Sequence, residues 1–183
     1  MKKKLCSLLF AGIALSVISC NNNSLAEETA TTAVKDSSTI SVQYPYTLPE
    51  DNNWDMNTDP KNTQVVLAVL KGFESGDTTA IARNIGDSME LNGDGYKFKG
   101  TREEFMPVIA QEMQRLKNAK VKMHDWETVV NKKKTEEWVT VWYTQYWETP
   151  QGKTDSLAIV NDAKVKDGKV VKWNEYIRHF PAK

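Results

Sequence analysis

The feature that most constrains this 183-residue chain lies beyond Asn118, where apolar and polar residues alternate through four successive runs. The runs cover residues 120–130, 137–148, 156–166 and 169–178 and are rich in Val, Ile, Thr, Trp and Tyr, so they read as long antiparallel strands. They are separated by Asn131-Lys132-Lys133-Lys134-Thr135, by Thr149-Pro150-Gln151-Gly152 and by Asp167-Gly168, the last a two-residue hairpin signal. On the second run Trp138, Trp142 and Tyr146 share one face and Tyr143 and Trp147 the other, with Trp126, Trp173 and Tyr176 on neighbouring strands. A sheet aromatic on both faces is not simply wet on either. Both faces are therefore expected to be covered, one of them by a homodimer contact or a docked tether. Alternation alone leaves open which face points inward.

Upstream the period changes to that of helices. Asp59 caps a first helix with Pro60 at its first position and Val66, Val69, Leu70 and Phe73 on one face, ending at Gly76. Asp77 caps a second, short helix carrying Ile81 and Ile85. A short strand, Met89-Glu90-Leu91-Asn92, then runs into a glycine turn. Thr101 and Glu104 have capping-box spacing for a third helix with Phe105, Ile109, Met113 and Leu116 as its stripe. Pro107 implies either a kink there or a later start.

The first twenty residues are an address and not part of a fold. Met1-Lys2-Lys3-Lys4, an apolar run from Leu5 to Ile18, and Ser19-Cys20 follow the order of a secretory leader, and the run is too short to span a bilayer. Val17-Ile18-Ser19-Cys20 resembles the lipobox of bacterial lipoproteins, which implies a lipidated Cys20 holding an extracytoplasmic domain to the cell envelope, at the outer membrane. Cys6 leaves with the leader, so the mature chain has no thiol for a disulfide. Residues 1–19 are then the signal peptide, 20–57 the lipidated polar tether and 58–183 the domain. Within the tether Tyr44-Pro45-Tyr46-Thr47-Leu48-Pro49 and Trp54 suit a segment lying along the domain surface. Basic residues (24) balance acidic ones (24), which gives no electrostatic case for nucleic acid.

Four short pieces carry a family likeness: Phe73-Glu74-Ser75-Gly76-Asp77 with Ile81; Asp87 through Asn92; Gly100-Thr101-Arg102-Glu103-Glu104-Phe105; and Asp167-Gly168-Lys169-Val170-Val171. In order and spacing they resemble the nuclear transport factor 2-like superfamily, in its SnoaL-like branch with the ketosteroid isomerase-like fold. The resemblance implies an α+β fold: a cone-shaped α+β barrel with three N-terminal helices packed on a strongly curved, mainly antiparallel sheet. It also implies a pocket between sheet and helices and, often, dimers through the sheet. Ketosteroid isomerase-like members place a carboxylate base in the strand after the second helix, and counting from Asp87 puts Asn92 there, an amide that cannot take a proton. The corresponding counts for the oxyanion tyrosine and the second acid reach Val69 and Val160 or Asn161. A slip of one residue would bring Asp87, Glu90 or Asp162 back.

Other chemistry has little footing. His124 with Glu127 gives His-x-x-Glu, but on a regular strand those side chains point to opposite faces, and no metal is expected. Glu90-Leu91-Asn92-Gly93-Asp94-Gly95 imitates the start of a calcium loop, yet its twelfth position is Thr101 and not glutamate. The Lys132 to Lys134 cluster reads as a solvated hairpin tip. No cofactor is called for. The pocket candidates are Asn92, Tyr96, His124, Trp126, Trp142, Tyr146 and Tyr176, each also readable as plain core. Three readings stand: a non-catalytic lipoprotein binding a small apolar or amphipathic ligand; an isomerase, dehydratase or hydrolase using Asp87, Glu90 or His124; and a protein-interaction module.

Overall fold

The computed structural model describes residues 43–47, 53–149 and 151–181. The leader, Cys20 and most of the tether lie outside the described residues; of the proline-bearing segment, Tyr44 and Tyr46 are described and exposed. Among the described residues no helix is long and apolar enough to cross a membrane.

The order along the chain is β1 (Trp54–Met56), α1 (Pro60–Ser75), α2 (Thr78–Asn84), β2 (Ile85–Gly93), β3 (Tyr96–Thr101), α3 (Arg102–Arg115), β4 (Lys117–Asn131), β5 (Glu137–Glu148), β6 (Thr154–Lys166) and β7 (Lys169–His179). The seven strands form one curved sheet in the order β1-β4-β5-β6-β7-β2-β3. Every pairing is antiparallel except β2 with β7. The domain is therefore an α+β structure of three helices on a mainly antiparallel sheet.

Local signals set the helix ends. Asp59 accepts a hydrogen bond from the Lys61 amide, Pro60 opens α1, and Gly76 closes it at φ 75°, a left-handed value that glycine reaches without a Cβ clash. The capping box of α3 is complete in both directions, and the helix starts at Arg102, where the box places it, and runs on past Pro107. Gly72 serves packing instead. A Cβ there would lie 2.8 Å from Ile81 Cγ1 and 3.0 Å from the Asp77 carbonyl, so α1 and α2 approach this closely only over a glycine. Ile85 is not on α2; it ends that helix and begins β2, which is longer than the short strand expected. The glycine turn is the β2–β3 hairpin with Gly95 at φ 70°, and β3 is a strand that the lysine-rich sequence Tyr96-Lys97-Phe98-Lys99 disguised. β1 adds an edge strand beside β4, and Lys132 at the β4–β5 tip pairs with its Asp55 at 2.7 Å.

The core lies between helices and sheet, with Val66, Ile81, Ile85, Phe105, Val139, Val141, Ala163 and Val170 all buried. Fully burying one such aliphatic side chain contributes about 1.5–3 kcal/mol. β5 shows which sheet face turns inward: Val139, Val141, Tyr143 and Gln145 are buried, while Trp138, Trp142 and Tyr146 alternate with them on the other face. β4 changes phase at two irregularities, one between Lys117 and Lys120 and one between Met123 and Asp125, of which the second bears on His124. Before that one Met123 pairs with Tyr143; after it Glu127 pairs with Thr140, while His124 reaches Thr144. His124 and Glu127 thus share the outer face, a correction to the regular-strand expectation. Among the described residues no group of three or more metal-ligating side chains forms.

Candidate functional site

The inward face and the helices enclose a cavity of about 760 Å³. Val69, Leu70 and Phe73 of α1, Ile81 of α2, and Phe105 and Ile109 of α3 form one wall. The opposite wall is built in rows across paired strands. Trp173 faces Leu91; Tyr143 faces Ile159, which faces Ile177; Gln145 faces Leu157, which faces His179; Trp147 faces Asp155; and Glu175, also in the lining, pairs across the sheet with Asn161, which is not. Tyr96, Asp94, Glu112 and Arg115 are among the other lining residues.

Glu175 is the unusual member. It lies between Trp173 and Ile177 on the inward face of β7 and has no hydrogen bond or ion pair among the described residues. A Cβ on Gly93 would stand 3.7 Å from its Oε1, so the absent side chain of that glycine leaves room beside the carboxyl. Burial pushes the Glu175 carboxyl above the usual carboxylate range, and the nearby charge of Glu112 pushes it further in the same direction. Glu112 itself is engaged by Arg115 through two contacts, 2.9 Å to Nε and 2.5 Å to Nη2.

Beside Glu175 stands a buried polar pair. Asn161 is 1 % exposed and its Nδ2 donates to the Tyr143 hydroxyl at 2.8 Å, while its Oδ1 has no partner. Either orientation of that amide leaves one of its polar atoms unpaired. Burial, and then the charge of Glu175, raise the Tyr143 hydroxyl well above its ordinary range, so it stays protonated.

The residues singled out from sequence are distributed differently. Tyr96 lines the cavity at an exposed position. His124, Trp142 and Tyr176 come together elsewhere, in a shallower depression of about 540 Å³ that Phe180 and Arg178 also line. His124 Nε2 is 2.8 Å from Thr144 Oγ1. Asn92, Trp126 and Tyr146 line neither hollow. Asn92 donates to Asn174 Oδ1 at 2.9 Å and to Glu90 Oε1 at 3.2 Å, and Glu90 is held 2.7 Å from Lys172 Nζ. Lys172, and then Asn92, hold the Glu90 carboxyl below the usual range. Asp87 is 96 % exposed and pairs with Arg102 at 3.2 Å. Asp162 accepts from Thr140 on the outer face. None of the three acids reached by a one-residue slip therefore lines the cavity.

Sequence reasoning missed Glu175. Its signal was present: Trp173, Glu175 and Ile177 alternate on one strand, and a charged residue between two apolar ones at period two is a buried charge if that face is buried.

No family model matches the sequence, and none of the curated proteins does. Solved structures do. An epoxide hydrolase of the LEH-like kind from M. tuberculosis superposes with a TM-score of 0.54 at 15 % identity, over 64 % of this chain and 79 % of that one. An NTF2-like protein of unknown function from Burkholderia pseudomallei K96243 gives 0.53 at 13 % identity, over 64 % and 91 %. The fold is nuclear transport factor 2-like. TerC, co-crystallised with polyporic acid, shares this nuclear transport factor 2-like architecture at a TM-score of 0.53 and 17 % identity, over 64 % and 92 % of the two chains. At such identities the likeness concerns the fold, and the chemistry has to come from the site.

Proposed function

We propose that this nuclear transport factor 2-like domain is the ligand-holding part of an envelope lipoprotein, anchored through lipid on Cys20 and binding a small, largely apolar molecule without catalysis. One observation carries the reading: a cavity of about 760 Å³ with mainly apolar and aromatic walls, into which an unpaired carboxyl projects. Its size falls within the roughly 300–1,000 Å³ of small-molecule sites, and a few convergent polar groups in an apolar wall are what orient a ligand. The co-crystallisation of TerC with polyporic acid supports this for a protein of the same architecture. Native mass spectrometry on the chain purified gently from its host tests it: a small molecule released on denaturation is expected, and protein that stays empty across repeated preparations would refute it.

A second reading is favoured by the raised Glu175 carboxyl beside a protonated tyrosine, an arrangement suited to general acid–base chemistry. Under it Asp87, Glu90 and His124 give way to Glu175, because those three do not line the cavity. The M. tuberculosis neighbour makes epoxides the first substrates to try. Turnover that falls about 10²–10⁴-fold in Glu175→Gln would support it. The same turnover in variant and parent would exclude it.

The outer face suits a homodimer. Tyr176 (58 % exposed) and Phe180 (43 %) line its shallow depression, and a second copy would cover them. Light scattering on Tyr176→Glu is expected to show monomer where the parent is dimeric, and a monomeric parent would refute the dimer.

A further inference from the structure

The charge inside the cavity narrows the ligand class, an inference that rests on the binding reading above. Four carboxylates line it, Asp94, Glu112, Asp155 and Glu175, against one guanidinium, Arg115, and no lysine among the described lining residues. Arg115 is already committed to Glu112. Asp94, Asp155 and Glu175 form no ion pair among the described residues. Asp94 and Asp155 are exposed and add only to the charge of the cavity, whereas Glu175 is largely kept from water; a carboxylate in that position without a partner is costly, and a cation brought to it removes that cost. Glu112 on α3 and Glu175 on β7 belong to opposite walls yet are close enough for the charge of one to bear on the other. A cation between those walls is attracted by both, and an anion is repelled.

The aromatic lining adds a second, independent preference. Phe73, Phe105, Tyr143, Trp147 and Trp173 present rings to the same space, and ring faces attract cations most strongly where water is excluded. Aromatic rings also take neutral ligands; rings together with unpaired acids favour a charged amine.

We propose that the cavity takes an organic cation: an amine or quaternary ammonium on an apolar frame, with the positive group beside Glu175 and the frame against the aromatic walls. Binding lets Glu175 ionise and release its proton, so affinity rises with pH. The titratable groups sharing the cavity with Glu175 are Glu112 and Arg115 from α3, Tyr143 from β5, Asp155 from β6, His179 further along β7, and Asp94 and Tyr96 from the β2–β3 hairpin. Acidification makes the net charge of this set less negative, which weakens cation binding.

The test is calorimetric titration of the full chain with three naphthalene probes of matched size: naphthylmethyl-trimethylammonium, naphthylmethanol and naphthoate. The ammonium is expected to bind about tenfold or more tighter than the alcohol at about pH 8, with the advantage shrinking towards about pH 5 and naphthoate weakest. Glu175→Gln should bring the ammonium's affinity down to the alcohol's, with circular dichroism showing that the variant is folded; Glu112→Gln should reduce the advantage by less. Equal affinity for ammonium and alcohol, or a preference for naphthoate, would overturn the cation assignment and leave the binding reading standing. Binding of none of the three would overturn both.

Discussion

The two faces of the sheet carry similar aromatic content and handle their polar groups in opposite ways. On the outer face the polar groups are matched: Glu90 with Lys172, Glu136 with Lys164, Asn92 with Asn174, Thr140 with Asp162 and His124 with Thr144. On the inner face Glu175 and Asn161 Oδ1 are left without partners although water is scarcer there. An unpaired polar group costs most where it is buried, so an arrangement that matches the exposed groups and strands the hidden ones is the reverse of what stability alone would select. Unmet hydrogen-bonding capacity, more than aromatic content, is what separates the cavity from the surface.

The sharpest way to break this comparison is with neighbours on one strand. Ile159 faces inward and is 4 % exposed, whereas Val160 lies on the outer depression. Denaturant unfolding should show a loss of about 2–5 kcal/mol for Ile159→Ala, towards the lower end because that side chain already borders a hollow. Val160→Ala should cost under about 1 kcal/mol. Equal losses would mean that the faces are not energetically distinct.

Tyr143→Phe comes next. It removes the acceptor of the Asn161 amide and leaves a second buried polar atom orphaned, at a cost of about 1–3 kcal/mol in the same experiment.

The acids on the two faces should then respond to pH with opposite signs. Glu175 has a folded-state value raised by burial, so its contribution is fully present below the ordinary glutamate range and is lost as pH rises through the raised value. Glu175→Gln is therefore expected to be more stable than the parent at neutral pH, the gain fading as pH falls towards 4.5, the ordinary value. Glu90 is lowered by Lys172, so its contribution is present above the ordinary range and lost as pH falls through the lowered value. Thermal unfolding followed across pH separates the two.

Lys172→Ala, the smallest change, should cost no more than about 1 kcal/mol, because the pair with Glu90 is about a third exposed and solvent screens it.

Much of this architecture could be read from residues alone. The four long strands are found at or within three residues of their expected bounds, and all three cap-defined starts, Asp59, Asp77 and Thr101, coincide with observed ones. These are local signals, each confined to a turn or a strand. The illegible parts depend on distant partners. β3 is short and lysine-rich and becomes a strand by pairing with β2, and β1 by pairing with β4. The phase change near His124 comes from an irregularity that alternation counting passes over. Of the pocket candidates Tyr96 lines the larger cavity and His124, Trp142 and Tyr176 the outer depression; aromatic character does not say which face is which, and only packing against α1 and α3 decides that the inward row runs through Tyr143, Trp147 and Glu175. A strand pattern carries parity but not its sign.

The parallel seam between β2 and β7 bears on how the molecule is made. β7 follows the other six described strands in chain order, yet it sits between β6 and β2, and among the described strands the β2–β3 hairpin has no neighbour in the sheet apart from β7. The early half of the domain thus waits for the late half: until Val170, Lys172 and Trp173 arrive beside Ile85, Glu90 and Leu91, nothing in the sheet holds the hairpin and the cavity lacks the wall that carries Glu175. Such pairings across the length of a chain form slowly because loop closure precedes any reward. For a chain that emerges from its amino terminus, the cavity is closed late, by the segment that supplies its remaining wall.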